Sequence, residues 1–157
     1  MKLLRHGPAG AERPGLLDAE GCIRDLFSVI SDWTPDTLPG LDVLRGIDPA
    51  TLPLVPGTPR LGPPVGRIGE VVAIGLNYHD HCAECGYPVP SEPTLFSKAV
   101  TAICGPNDAV MLPRGARKAD WGAELAIIIG RTARNTTEAD APAHIAGYTV
   151  CNDLTER

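Results

Sequence analysis

The stretch KADWGAELAIIIG, from Lys118 to Gly130, decides how the second half of this chain folds. Its apolar run from Leu125 to Ile129 has no polar break, which is typical of a strand buried on both faces. Glu124 directly precedes that run. A carboxylate in an apolar strand turns to solvent, has a charged or hydrogen-bonding partner, or becomes neutral. The surroundings of Glu124 therefore decide which function the sequence supports.

Working outward, strand-like segments dominate beyond residue 66 and predict an α+β, mainly β fold. The strand candidates are EVVAIGLNY, TLFSKAVTAICG, DAVMLP, residues 121–130 and YTVCND. Two helices are predicted between them: HDHCAEC, ending at Gly86, and TTEADAPAHIAG, capped by Thr136 or Thr137.

The first half of the sequence has a different composition and predicts a small mixed domain over residues 1–55. PGLLDAEGCIRDL reads as a β-hairpin in which Asp18–Gly21 lies between two short apolar runs, and the segment from residue 34 to 55 as one or two short helices broken by prolines. Proline and glycine fill seven of the eleven positions of 56–66, which indicates an extended linker. Residues 67–157 then form the second predicted domain.

Composition and charge exclude several classes of function. No apolar segment approaches the roughly 20 residues that span a bilayer, and the first residues lack the apolar region of a secretory signal, so we expect a cytoplasmic protein that is not in a membrane. A net charge of −5, without long charge runs, gives no basic patch of the kind that binds nucleic acid. Five cysteines are an odd number for a disulfide framework. A small-molecule substrate is the expectation that remains.

Two readings compete for the cluster between His79 and Cys85. Cys82 and Cys85 form a CxxC that could bind zinc or act as a thiol pair, although a structural zinc site normally has a second pair of ligands. His81 and Glu84 lie three residues apart, on one face of the predicted helix. They form either a histidine general base oriented by a carboxylate or a surface ion pair.

A second pair of candidates is formed by carboxylates. Glu124 lies in one strand and Asp153 at the end of another, so neighbouring strands could bring both together as oxygen ligands of Mg²⁺. A turn or cap residue is the alternative role of Asp153.

Four segments, taken in order, are similar to the fumarylacetoacetate hydrolase family: GLNYHDHCAECG, EPTLFSKAVTAICGPNDAVMLPRG, KADWGAELAIIIGRTAR and AGYTVCNDLTER. The resemblance covers residues 66–157, and PGLLDAEGCIRDL resembles the small leading domain of bacterial members. The family includes acylpyruvate hydrolases, oxaloacetate decarboxylases and enzymes named ureidoglycolate lyases.

The resemblance implies a rolled mixed β-sandwich, dimeric as a rule, that holds Mg²⁺ or Mn²⁺ on three carboxylates. Glu124 corresponds to the second glutamate of a Glu-x-Glu pair, Asp153 to the third ligand, and His81 with Glu84 to the catalytic dyad on a lid segment. The implied substrate is a small 2-oxo or 1,3-dioxo acid, such as an acylpyruvate or oxaloacetate. The implied reaction breaks one of its carbon–carbon bonds, with hydrolase, decarboxylase and lyase chemistry left open.

The sequence departs from the family pattern in two ways. Gly122 stands where the first glutamate of the pair belongs, and Asp120 could replace that ligand only through a bulge or bend. In addition, the family's catalytic domain continues beyond the position of Arg157, so we expect the chain to be the first part of a longer protein. Two hypotheses follow: a metal-dependent hydrolase or lyase impaired at Gly122, and an inactive relative that serves as a dimerisation or ligand-binding module.

Overall fold

The computed structural model describes every residue from Met1 to Arg157, and it confirms the prediction of a mainly β fold. All sheets are small and antiparallel, and the largest has three strands. The strands and the single α-helix, in chain order, are β1 (Lys2–His6), β2 (Arg13–Leu17), β3 (Ile23–Asp25), β4 (Val71–Gly75), α1 (His79–Cys85), β5 (Thr94–Lys98), β6 (Ala119–Asp120), β7 (Ala123–Ile129), β8 (Ile145–Asn152) and β9 (Thr155–Glu156). Short 3-10 helices cover Leu38–Leu44, Pro49–Thr51, Val100–Ala102 and Ala141–His144.

The chain divides into two compact units. The first contains Met1–Arg67 together with Cys104–Arg157, and the second contains Ile68–Ile103. The sheets β1–β2–β3, β6–β9 and β7–β8 belong to the first unit, and the β4–β5 sheet with α1 belongs to the second. The domain boundaries at residues 55 and 66 stay a prediction. None of the helices is both long enough and apolar enough to cross a membrane.

The predicted N-terminal hairpin is confirmed as the β2–β3 pair. Its turn is held by Asp18, whose carboxylate accepts hydrogen bonds from the backbone amides of Glu20 and Cys22 at 3.1 and 2.8 Å. Gly21 has a φ of +79°, which a residue with a side chain rarely adopts. Asp18 and Gly21 therefore close the turn of the predicted hairpin.

The apolar core lies in the N-terminal part of the first unit. Leu16, Leu26 and Trp33 are almost fully buried, and the Trp33 indole nitrogen donates to the carbonyl oxygen of Leu4 at 2.8 Å. The proline- and glycine-rich segment 56–66 packs against this core. Backbone hydrogen bonds run from Gly62 to the Arg5 carbonyl and from Gly66 to the Trp33 carbonyl, at 2.9 and 2.7 Å.

The prediction that Lys118–Gly130 forms a strand buried on both faces is wrong. The segment divides into β6 and β7, and β7 pairs only with β8, so no second layer covers the pair. Leu125, Ile127 and Ile129 are 61%, 51% and 59% exposed, and Glu124 is exposed as well. Every second residue of the apolar run thus lies on one exposed apolar face of the two-stranded β7–β8 ribbon.

The second predicted helix is also wrong. Residues 136–140 are turn and irregular structure, only Ala141–His144 forms a 3-10 helix, and Ile145 already begins β8. In the predicted helix Pro142 would lie in the interior, where it removes a backbone hydrogen bond and clashes with the preceding turn, whereas the first turn of the short 3-10 helix tolerates it. The helix predicted from HDHCAEC is confirmed as α1, and Gly86 ends it with a φ of +69°.

Candidate functional site

Glu124 and Asp153 lie on the same face of the β7–β8 ribbon. Glu124 is opposite Cys151 in the antiparallel register, and the backbone amide of Asp153 donates to the carbonyl oxygen of Gly122 at 2.8 Å. Because side chains directly opposite each other in an antiparallel pair point to the same face, positions 122, 124, 151 and 153 share one face. The structure therefore brings the two predicted carboxylate ligands to one surface. The apolar face with Leu125 and Ile127 is the reverse side.

Gly122 leaves a space that is bordered by both carboxylate residues. A Cβ atom built at Gly122 would lie 3.0 Å from Oε1 of Glu124 and 3.9 Å from the Cβ of Asp153. Both contacts involve side-chain atoms of the two candidate ligands. A carboxylate at position 122 would thus project from the same small area as Glu124 and Asp153, as expected for a position that could complete a three-carboxylate site.

Asp120 does not replace the missing carboxylate. The β6–β9 and β7–β8 pairs continue in one register, with Asp120 opposite Thr155 and Ala123 opposite Asn152, so no bulge shortens the strand between Asp120 and Glu124. Four residues along a strand span about 13 Å. Asp120 instead accepts a hydrogen bond from Arg157 Nε at 2.7 Å, and this bond, together with one from the Trp121 amide, holds the pKa of Asp120 below its usual range.

The oxygen donors on this face are of the kind that bind a divalent cation, but Glu124 and Asp153 provide two carboxylates where the resemblance implies three. Glu124 is exposed and Asp153 is half-buried. Oxygen ligands of this kind suit Mg²⁺ and Mn²⁺. No three histidine, cysteine, aspartate or glutamate side chains are gathered as a ready-made metal site anywhere in the structure. Binding at this face would therefore require rotation of side chains.

His81 and Glu84 lie together on α1, in the second unit. His81 Nδ1 is 3.5 Å from Oε2 of Glu84, and the two side chains are 48% and 80% exposed. Asp80 accepts a hydrogen bond from the His81 backbone amide at 2.8 Å. The spacing of three residues thus produces the contact predicted from the helix, in a setting open to solvent.

The CxxC motif does not gather its two thiols toward one ion. Cys82 is buried, with its Sγ 3.4 Å from the carbonyl oxygen of Leu76, whereas Cys85 is exposed and its Sγ lies 3.8 Å from both ring nitrogens of His81. None of the five cysteines is in a disulfide. The two cysteines therefore have separate surroundings, one in the packing of the helix and one on its surface.

Sequence reasoning missed Cys151 as a neighbour of the carboxylate pair. Its thiol is exposed, and its position lies directly opposite Glu124. The alternation of side chains along YTVCND does predict that residues 151 and 153 share a face. The strand partner of residue 151 could not be read from the sequence without the register.

Comparison with known proteins gives relatives along the whole chain. Residues 70–157 match the family described as fumarylacetoacetate (FAA) hydrolase C-terminal. A protein of Burkholderia ambifaria named as a hydrolase is 55% identical over 159 residues, covering 100% of this chain and 56% of the relative. The chain thus spans about half the length of the curated relatives it matches.

Solved structures also resemble the whole chain, among them two hydrolases. Fumarylacetoacetate hydrolase from the psychrophile Exiguobacterium antarcticum is 33% identical, with a TM-score of 0.76, covering 100% of this chain and 57% of that one. Maleylpyruvate hydrolase from Sphingobium sp. SYK-6, in complex with manganese(II) and pyruvate, is 26% identical, with a TM-score of 0.80, covering 100% and 60%.

The family match covers more than half of the chain, and the solved relatives carry the same fold over its full length. The prediction made from the four sequence segments is therefore confirmed. This chain belongs to the fumarylacetoacetate hydrolase family.

Proposed function

We propose that this chain carries part of a metal-dependent hydrolase that cleaves a carbon–carbon bond in a small 2-oxo or 1,3-dioxo acid. The single observation that carries the proposal is the placement of Glu124 and Asp153 on one face, beside the space left by Gly122. The related maleylpyruvate hydrolase holds manganese and pyruvate, a 2-oxo acid, which supports both the ion and the substrate class.

Glu124 and Asp153 are the proposed metal ligands. A bound Mg²⁺ or Mn²⁺ would supply positive charge that favours a negatively charged 2-oxo acid and the charge that develops as its carbon–carbon bond breaks. Gly122 contributes no carboxylate, so we expect the ion to bind this chain more weakly than a three-carboxylate site would bind it.

His81 is the proposed general base. Glu84, with Oε2 3.5 Å from His81 Nδ1, favours the tautomer that carries its proton on that nitrogen. The Nε2 atom is then the acceptor, and it takes a proton from the attacking water while the carboxylate stabilises the charged ring. In the structure this contact is long and exposed, as catalytic hydrogen bonds often are without a substrate.

The alternative is an inactive relative that binds a small ligand or a second copy of the chain. Gly122 favours it, since the glycine removes one carboxylate from the metal-binding face. The apolar face of the β7–β8 ribbon is also consistent with a surface that another polypeptide covers, because Tyr148 and Val150 are 62% and 82% exposed. A cytoplasmic homodimer remains part of the proposal for the longer protein.

A turnover assay distinguishes the proposed hydrolase from the inactive relative. The 157-residue chain and a version extended to the length of its relatives are incubated with an acylpyruvate or with oxaloacetate, with and without Mn²⁺, and pyruvate release is followed. Pyruvate release that depends on metal and is lost in His81→Ala supports the hydrolase. Specific binding of the 2-oxo acid without turnover in either length, with Gly122→Glu included, supports the inactive relative.

A further inference from the structure

The apolar face of the β7–β8 ribbon is a continuous surface that the first unit leaves open. Leu125 lies opposite Val150, and Ile127 lies opposite Tyr148. Ile129 follows at the end of β7, and all five side chains are more than half exposed. Five large apolar side chains on two paired strands therefore face solvent on one side of the ribbon.

The two faces of the ribbon differ in burial and in charge. On the face opposite the apolar one, Ile128 and Thr149 are half-buried, so the rest of the chain shields that face more. The only charged residue of the two strands, Glu124, also points to that side, which leaves the apolar face without a charge. An uncharged apolar sheet face is normally covered by another layer of polypeptide, packed about 10 Å away. The open face therefore has the character of an inner surface.

The size of this face favours a layer attached to the same polypeptide over a second copy of the chain. The five side chains together expose on the order of 500 Å². A standard interface between two proteins buries about 800 Å² on each partner, and separate molecules also lose their translational and rotational freedom on association. A layer that continues the same polypeptide does not lose that freedom in the same way. The face is therefore small for a stable dimer and sufficient for an intramolecular contact.

We propose that this face is the docking surface for the part of the polypeptide that the longer relatives have beyond their match to this chain. Each relative matches the whole of this chain but less than two thirds of its own length. The unmatched remainder is on the order of 100 residues, the size of a small domain, and so can supply a further layer. That layer presents apolar side chains to the ribbon, because an unpaired charge buried there would be costly. The inference concerns the reverse of the metal-binding face and does not depend on the proposed metal site.

The test compares the 157-residue chain with the version extended to the length of its relatives. Leu125→Cys places a thiol on the apolar face, and mass spectrometry of the peptide that carries it follows its modification by a small maleimide. We expect rapid modification in the 157-residue chain and modification at least tenfold slower in the extended chain. Leu54→Cys is the matched control, since Leu54 is 55% exposed, belongs to the same unit and lies outside the ribbon. Its rate should be similar in the two lengths.

A charge placed on the same face gives a second measurement by thermal unfolding. Val150→Asp should lower the Tm of the extended chain by roughly 5 °C or more, because the carboxylate is then buried without a partner. The same substitution should change the Tm of the 157-residue chain much less, since position 150 is open to solvent there. Val43→Asp, at an exposed valine of the same unit outside the ribbon, is the control and should have a small effect in both lengths.

Two results would overturn the proposal. Equal modification rates at position 125 in the two lengths, with equal effects of Val150→Asp on both Tm values, would show that the added polypeptide lies elsewhere. Slow modification of the 157-residue chain that becomes fast on dilution would show that a second copy covers the face. Neither readout involves pyruvate release, so this proposal and the proposed function can fail independently.

Discussion

Gly122 and Asp153 face each other across two antiparallel strands, and the Asp153 amide donates to the Gly122 carbonyl at 2.8 Å. This bond fixes the backbone at the position where a third carboxylate is absent. The neighbouring candidate ligand, Glu124, places its Oε1 within 3.0 Å of the point where a Cβ at position 122 would lie. In the proposed metal site, positions 122, 124 and 153 would carry the three carboxylates, and Gly122 is the position without one.

Replacing Gly122 with glutamate should raise the affinity for Mg²⁺ and Mn²⁺ by roughly tenfold or more, because a third carboxylate then shares the ion. The new Cβ displaces only the flexible end of Glu124, so the backbone has no reason to change. Without metal, three neighbouring carboxylates repel one another and the Tm should fall; added Mn²⁺ should restore it. Calorimetry and thermal unfolding with and without metal measure both effects.

Gly147→Glu is the matched control for this substitution. Position 147 lies on the same face of β8, but about 20 Å along the strand from Asp153, and nothing lies within 4 Å of a Cβ built there. It adds the same charge without approaching the proposed ligands. Equal metal affinity for Gly122→Glu and Gly147→Glu would show that position 122 is not part of the metal-binding face.

The sequence predicted turns and helix ends of this molecule better than it predicted which strands are buried. Gly21 and Gly86 mark a turn and a helix end that follow from the chain's own conformational preferences, and both are where they were expected. The burial of the Lys118–Gly130 strand on both faces was wrongly predicted, because burial depends on which polypeptide packs against β7, and an apolar run of residues does not specify that polypeptide. Cys151 was missed for a related reason: alternation gives the face of a residue, but only the register gives its neighbour.

A network of charges that the sequence did not reveal stabilises the first unit. Arg60 donates to both carboxylate oxygens of Asp108 at 2.6 Å and to Oε1 of Glu12 at 2.8 Å, and the Glu12 side chain is only 7% exposed. Arg60→Met removes these donors and leaves Glu12 with the Gly10 backbone amide, at 3.1 Å, and the more distant Arg5, at 3.5 Å. We expect the Tm to fall by roughly 5 °C or more.

Arg45→Met provides the control for the Arg60 substitution in a thermal unfolding experiment. Arg45 forms an ion pair with Asp42 at 2.7 Å, but the two side chains are 84% and 67% exposed. Exposed pairs of this kind contribute little to stability. Tm values lowered by the same amount in both variants would mean that the Arg60 network is no more important than a surface ion pair.

The same network should make stability depend on pH in the acid range. Burial raises the pKa of Glu12, but hydrogen bonds and the charges of Arg60 and Arg5 outweigh it, so the pKa lies below its ordinary 4.5. Hydrogen bonds from Arg60 and from the Gly105 amide likewise lower the pKa of Asp108 from 3.8. Carboxylates with lowered folded-state pKa values stabilise the fold above their ordinary pKa, and this stability is lost as the pH falls through the folded values.

Chemical denaturation between about pH 6 and pH 3 tests this dependence. The free energy of unfolding of the wild type should fall as the pH drops below about 4.5, and the slope should be smaller in Arg60→Met, where the pKa of each carboxylate returns toward its ordinary value. Parallel pH profiles for the two proteins would exclude Arg60 as the cause of the shifts.

His6 should cause a separate pH dependence near neutrality. The residue is only 5% exposed, its Nε2 has no hydrogen-bond partner, and the nearest carboxylate oxygen, on Asp25, is 3.8 Å away. Burial lowers the pKa of His6 below 6.5, although the charge of Asp25 opposes the shift in part. The unfolded chain therefore takes up a proton more readily than the folded one. The stability should be full above pH 6.5 and should decline as the pH falls from there through the folded-state pKa.

His6→Gln should remove this decline between about pH 7 and pH 5, whereas His79→Gln, at an exposed histidine of α1, should retain it. A wild-type profile that is flat across this interval would contradict the assignment.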